Sequence, residues 1–148
     1  MTKHLTILTG ASRGMGLAMA EQLIAAGHDL LCISRKTNDT LTAQAAAKGT
    51  RCEQWPQDLV RGENAAERLR TWLKEQDPKA YDSVTLINNA ALMPQIGPMA
   101  DLPAAGLAEA MRANLEAPML LSSAFLNATS AWRGARKLLN ISSGLGRR

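Results

Sequence analysis

The segment Thr9–Gly16 has the residue types and spacing of a phosphate-binding turn. Its three glycines, Gly10, Gly14 and Gly16, come just after the apolar run Leu5–Leu8 and stand where a helical pattern begins. Glycine lets a backbone approach a ligand closely, and the first N–H groups of a helix are free to bind phosphate. The segment therefore predicts a dinucleotide site rather than a tight structural turn. No Gly-Lys-Ser/Thr follows, which argues against a P-loop kinase or ATPase.

Each part of this turn has an expected role. We expect Gly10 to supply the turn, Gly14 to allow close approach to the pyrophosphate, and Gly16 to let the helix pack on the sheet. The candidate phosphate contacts are Ser12 and the backbone N–H groups of Arg13 and Met15.

The end of the second predicted strand indicates which dinucleotide is bound. An NAD site needs an acidic residue there to accept hydrogen bonds from the ribose 2′-hydroxyl. This chain has Ser34-Arg35-Lys36 instead, with no acid until Asp39. A guanidinium at Arg35 pairs well with a 2′-phosphate, and Arg13 is placed to reach the same group. With Ser34 and Arg35 as contacts, the sequence predicts NADP(H); the alternative is two ordinary surface arginines.

Alternating strand and helix patterns position these residues. The apolar runs typical of buried parallel strands are Leu5–Leu8, Leu30–Ser34, Arg51–Trp55, Val84–Asn88 and Lys137–Ser142. Helical patterns lie between them, and the last runs from Pro103 to Ser130. The sequence predicts a single Rossmann-like α/β domain over residues 1–148, with a doubly wound parallel sheet in the strand order 3-2-1-4-5. Its last strand would form an unpaired apolar edge, so we expect a longer natural chain.

Composition argues against several classes of protein. The chain is 46% hydrophobic and 20% charged, as expected for a globular protein. Its net charge of +4 is scattered, without a basic stripe and interleaved aromatics, so a nucleic-acid partner is not expected. No signal peptide or membrane-length apolar run occurs, so we expect a cytoplasmic protein without a membrane partner.

The histidines and cysteines do not predict a metal site. His4 and His28 lack the spacing of metal ligands, and we expect them to face solvent. Cys32 and Cys52 lie in or beside strand-like runs, where buried reduced thiols are expected.

Motifs along the whole chain resemble those of the short-chain dehydrogenase/reductase family. Thr9–Gly16 looks like its cofactor loop, Asp58-Leu59 like its adenine-contacting pair, and Asn88-Asn89-Ala90-Ala91 like its Asn-Asn-Ala-Gly motif. The resemblance implies that Asp58 accepts a hydrogen bond from the adenine amino group. It also places Asn89, Ala90 and Ala91 beside the nicotinamide ribose, where Ala91 departs from the usual glycine.

Two further segments resemble the catalytic set of this family. Asn114 matches its helix asparagine, and Asn140-Ile141-Ser142-Ser143-Gly144 resembles the strand end that carries its serine, with Ser143 favoured over Ser142. The resemblance implies NADPH-dependent reduction of a small-molecule carbonyl, with Ser143 donating to the carbonyl and Asn114 supporting proton relay. Within the family, the chain is most similar to bacterial benzil reductases and the related sepiapterin reductases.

Pro118 predicts an unusual backbone at Asn114. A proline inside a helix has no N–H for the carbonyl four residues earlier, which here belongs to Asn114. That carbonyl is predicted to be free to hold a water, as the relay in the resembling enzymes requires. The alternative is a plain helix kink.

The proton donor of such a reaction is missing from these residues. The family uses a Tyr-x-x-x-Lys pair after the serine, but the only tyrosine here is Tyr81, before the fourth strand. The chain is therefore either part of an NADPH-dependent carbonyl reductase or a catalytically silent NADP-binding or interaction module. In both cases we expect little or no reductase activity from it alone.

A methyltransferase-like fold is a third alternative, which Arg35 disfavours. A homo-oligomer stays open, because the family's usual oligomer contacts include a later helix.

Overall fold

A computed structural model describes residues 2–144, which form a five-stranded parallel sheet with helices on both faces. The strands are β1 (His4–Thr9), β2 (Asp29–Ser34), β3 (Cys52–Pro56), β4 (Ser83–Asn88) and β5 (Ala135–Asn140). Their order in the sheet is β3-β2-β1-β4-β5, and every neighbouring pair is parallel. The doubly wound α/β fold and the strand order predicted from the sequence are confirmed.

The helices are α1 (Gly14–Ala25), α2 (Asp39–Lys48), α3 (Gly62–Glu75), α4 (Ala104–Met111) and α5 (Ala117–Ala128). A π-helical stretch, Arg112–Glu116, joins α4 to α5. The long helix predicted between Pro103 and Ser130 is therefore divided into two α-helices with a π-helical stretch between them.

Alternate residues of β1 belong to two different cores. Leu5 and Ile7 are fully buried in a core with α3 and α5 side chains, of which Leu69 and Phe125 are examples. Leu8 is buried instead in a core with side chains of α1 and α2. Because successive side chains of a strand point to opposite faces, this arrangement fixes the register of the sheet. The ends of β1, β2 and β4 are thereby held in a row.

The strand β5 was predicted at Lys137–Ser142 but forms two residues earlier, at Ala135–Asn140. Its register is set by β4, which pairs with it from Ser83↔Ala135 to Asn88↔Asn140, so the ladder ends where β4 ends. All residues of β5 are exposed. Within residues 2–144 no strand pairs with its outer edge, as the sequence predicted.

The edge of the sheet at which β1, β2 and β4 begin is here named the amino edge, and its polar groups bind one another. The Tyr81 hydroxyl donates to Oδ2 of Asp29 at 2.8 Å, and Nζ of Lys3 lies 3.6 Å from the same oxygen. Burial and this bond raise the pKa of Tyr81 to about 12. Burial would raise the pKa of Asp29, but bonds from the Arg51 N–H and the Tyr81 hydroxyl lower it.

The two histidines also belong to the amino edge, which corrects the prediction that they face solvent. Both are half-buried, and their rings are in contact, with centroids 4.8 Å apart and planes tilted by 33°. Nδ1 of His4 is hydrogen-bonded to the Ser83 hydroxyl at 2.6 Å, and Nδ1 of His28 to the Thr6 hydroxyl at 3.0 Å. The sequence spacing could not show this, because the strand register, not chain proximity, brings the rings together. Burial and the neighbouring His4 lower the pKa of His28.

Candidate functional site

The opposite edge, at which β1, β2 and β4 end, is here named the carboxyl edge, and the glycine turn lies on it. Gly10 and Gly14 have positive φ angles of 71° and 58°, which favour glycine. A Cβ on Gly16 would lie 1.8 Å from the Gly10 carbonyl oxygen, so only glycine fits there. Gly16 thus lets the start of α1 pack against Gly10 and Asn89, the residues that directly follow β1 and β4.

A cavity of about 780 Å³ opens beside this turn. That volume lies within the range of small-molecule and cofactor sites, about 300–1,000 Å³. Every residue that the sequence predicted to bind a cofactor lines it: Gly10, Ser12, Arg13, Gly14, Met15, Gly16, Ser34, Arg35, Asp58, Leu59, Asn89, Ala90 and Ala91. Nothing lies within 4 Å of a Cβ placed on Gly14, so the backbone there is open to a ligand.

Thr9 and Asn89 join the ends of β1 and β4. The backbone N–H groups of Asn89 and Ala90 each donate to the Thr9 hydroxyl oxygen at 2.9 Å. The Asn89 side-chain amide donates back to the carbonyls of Thr9, at 3.1 Å, and Gly10, at 3.2 Å. These bonds hold the glycine turn against the segment after β4. The amide nitrogen of Asn89 is thus engaged with protein groups.

The glycine turn and the end of β2 together give the cavity a cationic wall. Arg13, Arg35 and Lys36 are all exposed and line the same cavity. Ser34 is buried, and its hydroxyl oxygen accepts the Ala11 N–H at 2.8 Å, so it ties β2 to the glycine turn. The group of three cations suits a phosphate better than a ribose hydroxyl.

Asp58 lines the cavity beyond β3 and also begins a helical turn. Its Oδ1 accepts the Val60 N–H at 3.0 Å, which caps the short 3₁₀ turn Leu59–Arg61. This cap fixes the direction of the Asp58 side chain. Leu59 is buried beneath it.

Asn114 lies next to the cavity but outside its lining. Its side chain binds both backbone groups of Leu92, accepting from the N–H at 2.7 Å and donating to the carbonyl at 2.8 Å. Leu92 itself lines the cavity. Asn114 lies inside the π-helical stretch Arg112–Glu116. Such stretches inside helices are frequent at functional sites. That Pro118 leaves the Asn114 carbonyl free to hold a water stays a prediction.

Ser143 lies after the end of β5, outside the cavity lining, and is exposed. The sheet order places β4 between β5 and β1. Ser143 and Asn114 therefore approach the carboxyl edge from two different elements. Tyr81 lies at the amino edge, bound to Asp29.

Sequence reasoning missed several residues of this site. Lys36 and Gln57 line the cavity, and so does Glu109 from α4. Lys36 was visible beside Arg35, whereas the position of Glu109 depends on how α4 packs. Thr9 belonged to the motif, but only the contact between β1 and β4 shows what its hydroxyl does.

The part of the chain that the structure describes contains no helix long and apolar enough to cross a membrane. Among those same residues, no group of three His, Cys, Asp or Glu side chains could hold a metal ion.

Comparison with known proteins identifies the family. The family model described as short chain dehydrogenase matches residues 4–148. This chain belongs to the short chain dehydrogenase family. The family is one of oxidoreductases.

Relatives of this family member include a benzil reductase, (S)-benzoin forming, of Bacillus subtilis (strain 168). It is 33% identical over 141 residues, which cover 95% of this chain and 55% of that relative. A short-chain dehydrogenase/reductase structure from Burkholderia vietnamiensis is 31% identical, with a TM-score of 0.84, and the match covers 98% of this chain and 68% of that one. A metagenomic short-chain oxidoreductase in complex with NADP is 28% identical, with a TM-score of 0.81 over 98% of this chain and 63% of that one. The present chain thus spans about half the length of the benzil reductase.

Proposed function

We propose that this short chain dehydrogenase family member is an NADP(H)-dependent oxidoreductase that reduces a ketone or dicarbonyl to an alcohol by hydride transfer. The observation that carries the cofactor assignment is the cationic wall of Arg13, Arg35 and Lys36 around one cavity. Guanidinium and ammonium groups suit a 2′-phosphate. The relative bound to NADP supports the same choice.

Different residues of the carboxyl edge would bind different parts of this cofactor. The glycine turn would receive the pyrophosphate, because its backbone is open to the cavity at Gly14. Asp58 would accept from the adenine amino group, and the segment Asn89–Ala91 would lie along the nicotinamide ribose. The nicotinamide supplies the hydride when the cofactor is bound.

The proposed substrate is a small-molecule carbonyl compound, with dicarbonyls favoured by the benzil reductase relative. Ser143 would donate a hydrogen bond to the carbonyl oxygen, and Asn114 would support proton relay. We further propose a cytoplasmic location, with no membrane or nucleic-acid partner, and leave open a homo-oligomer.

A binding experiment tests the cofactor assignment. The purified chain should bind NADP⁺ more tightly than NAD⁺ in calorimetric titrations. Replacing Arg13 and Arg35 by alanine removes two charge-assisted contacts, each worth about 1.5–3 kcal/mol. We therefore expect NADP⁺ affinity to fall by about 100-fold or more, while NAD⁺ affinity changes little.

Two results would contradict this assignment. Equal losses for both cofactors would remove the argument from the 2′-phosphate. A folded wild-type chain that gives no heat with NADP⁺ or NADPH would remove dinucleotide binding altogether.

The second candidate function is a catalytically silent NADP-binding or interaction module, and the position of Tyr81 favours it for these residues alone. The sole tyrosine of the sequence is bound to Asp29 at the amino edge, far from the cavity along the strands. A missing general acid typically slows a reaction about 10²–10⁴-fold. We expect this chain to bind NADPH but to oxidise it hardly at all with benzil, as followed by absorbance. Rapid oxidation would show that another group supplies the proton.

A further inference from the structure

The loop between β2 and α2 carries two of the three cations of the cavity wall. Residues 35–37 form this loop, here named the cationic loop. At its start, the Ser34 carbonyl accepts the Gln57 N–H at 2.8 Å, and its hydroxyl oxygen accepts the Ala11 N–H at 2.8 Å. The loop therefore leaves the sheet from a fixed residue, and its other end is at Asn38.

A single side chain, Gln54 of the edge strand β3, holds that other end. The Asn38 N–H donates to Oε1 of Gln54 at 2.8 Å, and Nε2 of Gln54 donates to the Asn38 carbonyl at 2.8 Å. Nε2 also donates to the Thr42 hydroxyl oxygen at 2.9 Å. The side-chain amide thus bonds both backbone groups of one residue, and it is half-buried.

Asn38 extends this connection to the glycine turn. Its Nδ2 donates to the Ser12 carbonyl at 3.4 Å. Its Oδ1 accepts the Thr40 N–H at 3.1 Å, which caps α2, and also the Thr40 hydroxyl. A continuous series of hydrogen bonds therefore runs from β3 through Asn38 to the turn that holds Arg13.

We infer that Gln54 is a positioning residue that sets the preference for a cofactor bearing a 2′-phosphate. The inference rests on the proposed NADP(H) function. Gln54 does not line the cavity, so it acts through the backbone of Asn38. Arg35 and Lys36 are exposed, and a ligand that binds them must order both side chains. Fixing the loop beforehand lowers that entropic cost for a 2′-phosphate and has no effect on a cofactor that lacks one.

The test uses Gln54→Met, which keeps the approximate length and volume of the side chain but forms none of these hydrogen bonds. The probes are adenosine 2′,5′-bisphosphate and AMP, which differ only in the 2′-phosphate. We expect affinity for the bisphosphate to fall about tenfold, the equivalent of about 1.4 kcal/mol, with AMP affinity unchanged. Gln44→Met is the matched control, because Gln44 is exposed on α2. It should leave both affinities unchanged.

The outcomes distinguish a failure of the inference about Gln54 from a failure of the proposed NADP(H) function. A wild-type chain that binds both probes equally refutes the NADP(H) proposal. A wild-type preference that is undiminished in Gln54→Met overturns the inference alone, and so does an equal loss for both probes, which indicates general damage to the fold. If Gln54→Met does not fold, Thr42→Val removes one partner of the amide and should weaken bisphosphate binding about two- to threefold. No change in that variant also overturns the inference.

Discussion

The two edges of this one sheet use polar residues in opposite ways. At the amino edge, Tyr81, Asp29 and Lys3 bind each other, and the two histidines bond to neighbouring hydroxyls. At the carboxyl edge, the cations of the cavity wall are exposed and face a shared cavity. Hydrogen bonds there go mainly to the backbone, as Asn89 and Asn114 show.

This difference suggests that the residues of one edge stabilise the fold and those of the other bind a ligand. A buried polar group must be paired, since leaving it unpaired costs about 1–3 kcal/mol. A group that is to bind a ligand must keep its charge available, so the surrounding residues stabilise the backbone that carries it. The amino edge therefore contributes to stability, and the carboxyl edge to recognition. Substitutions at each edge should affect different measurements.

Among single substitutions, the largest effect is expected for Gly16→Ala at the carboxyl edge. The new Cβ would lie 1.8 Å from the Gly10 carbonyl oxygen and 2.6 Å from Nδ2 of Asn89, so the glycine turn must move. We expect NADP⁺ affinity to fall by at least tenfold, and stability by about 1–3 kcal/mol, as for other overpacked sites. Isothermal titration and urea unfolding measure the two quantities.

Gly106→Ala is the matched control for this substitution. Gly106 also lies in the first turn of a helix, but a Cβ there meets only the Pro103 side chain, at an ordinary 3.7 Å. Alanine should be neutral, or stabilising by up to about 1 kcal/mol. Normal NADP⁺ binding by Gly16→Ala would show that the turn is not the recognition element.

A smaller effect, on stability alone, is expected for Tyr81→Phe at the amino edge. The substitution leaves Oδ2 of Asp29 without its hydroxyl donor, at a cost of about 1–3 kcal/mol. NADP⁺ affinity should stay within twofold of wild type, because the bond lies at the other end of the strands. Weakened cofactor binding in this variant would break the separation between the two edges.

Tyr81→Phe should also change how stability depends on pH in alkaline solution. The pKa of Tyr81 rises from its ordinary 10.0 to about 12 on folding, so the folded chain holds this proton more tightly. The resulting stability is fully present below pH 10 and is lost as the pH rises towards 12. Urea midpoints of the wild type should fall over this range. In Tyr81→Phe that part of the decrease should be absent, and the chain has no second tyrosine to obscure the comparison.

Much of the carboxyl edge could be predicted from local sequence. The spacing of Gly10, Gly14 and Gly16 predicted a turn that begins a helix, and the three glycines lie at such a turn beside the cavity. Arg35 could be placed because a residue that follows a strand in such a fold lies at the ligand-binding edge. The family resemblance and the strand order were confirmed by the family match and the sheet. Which cofactor and which carbonyl these residues bind stays a prediction.

The amino edge and the loop anchors could not be predicted in this way. His4 and His28 are 24 positions apart in sequence and meet only because β1 and β2 are paired. The start of β5 was also predicted wrongly, since the extent of β4 sets it.

The sequence by itself determined the first four strands, the glycine turn and the cations at the end of β2, because local hydrophobic pattern and backbone freedom act over a few residues. Only the tertiary structure decided that Gln54 holds Asn38, that Asn114 holds Leu92 and that Tyr81 is bound to Asp29. These contacts join residues that are distant in the chain, and their partners depend on strand register and helix packing. Such packing is the sum of many weak contacts, which no short segment specifies.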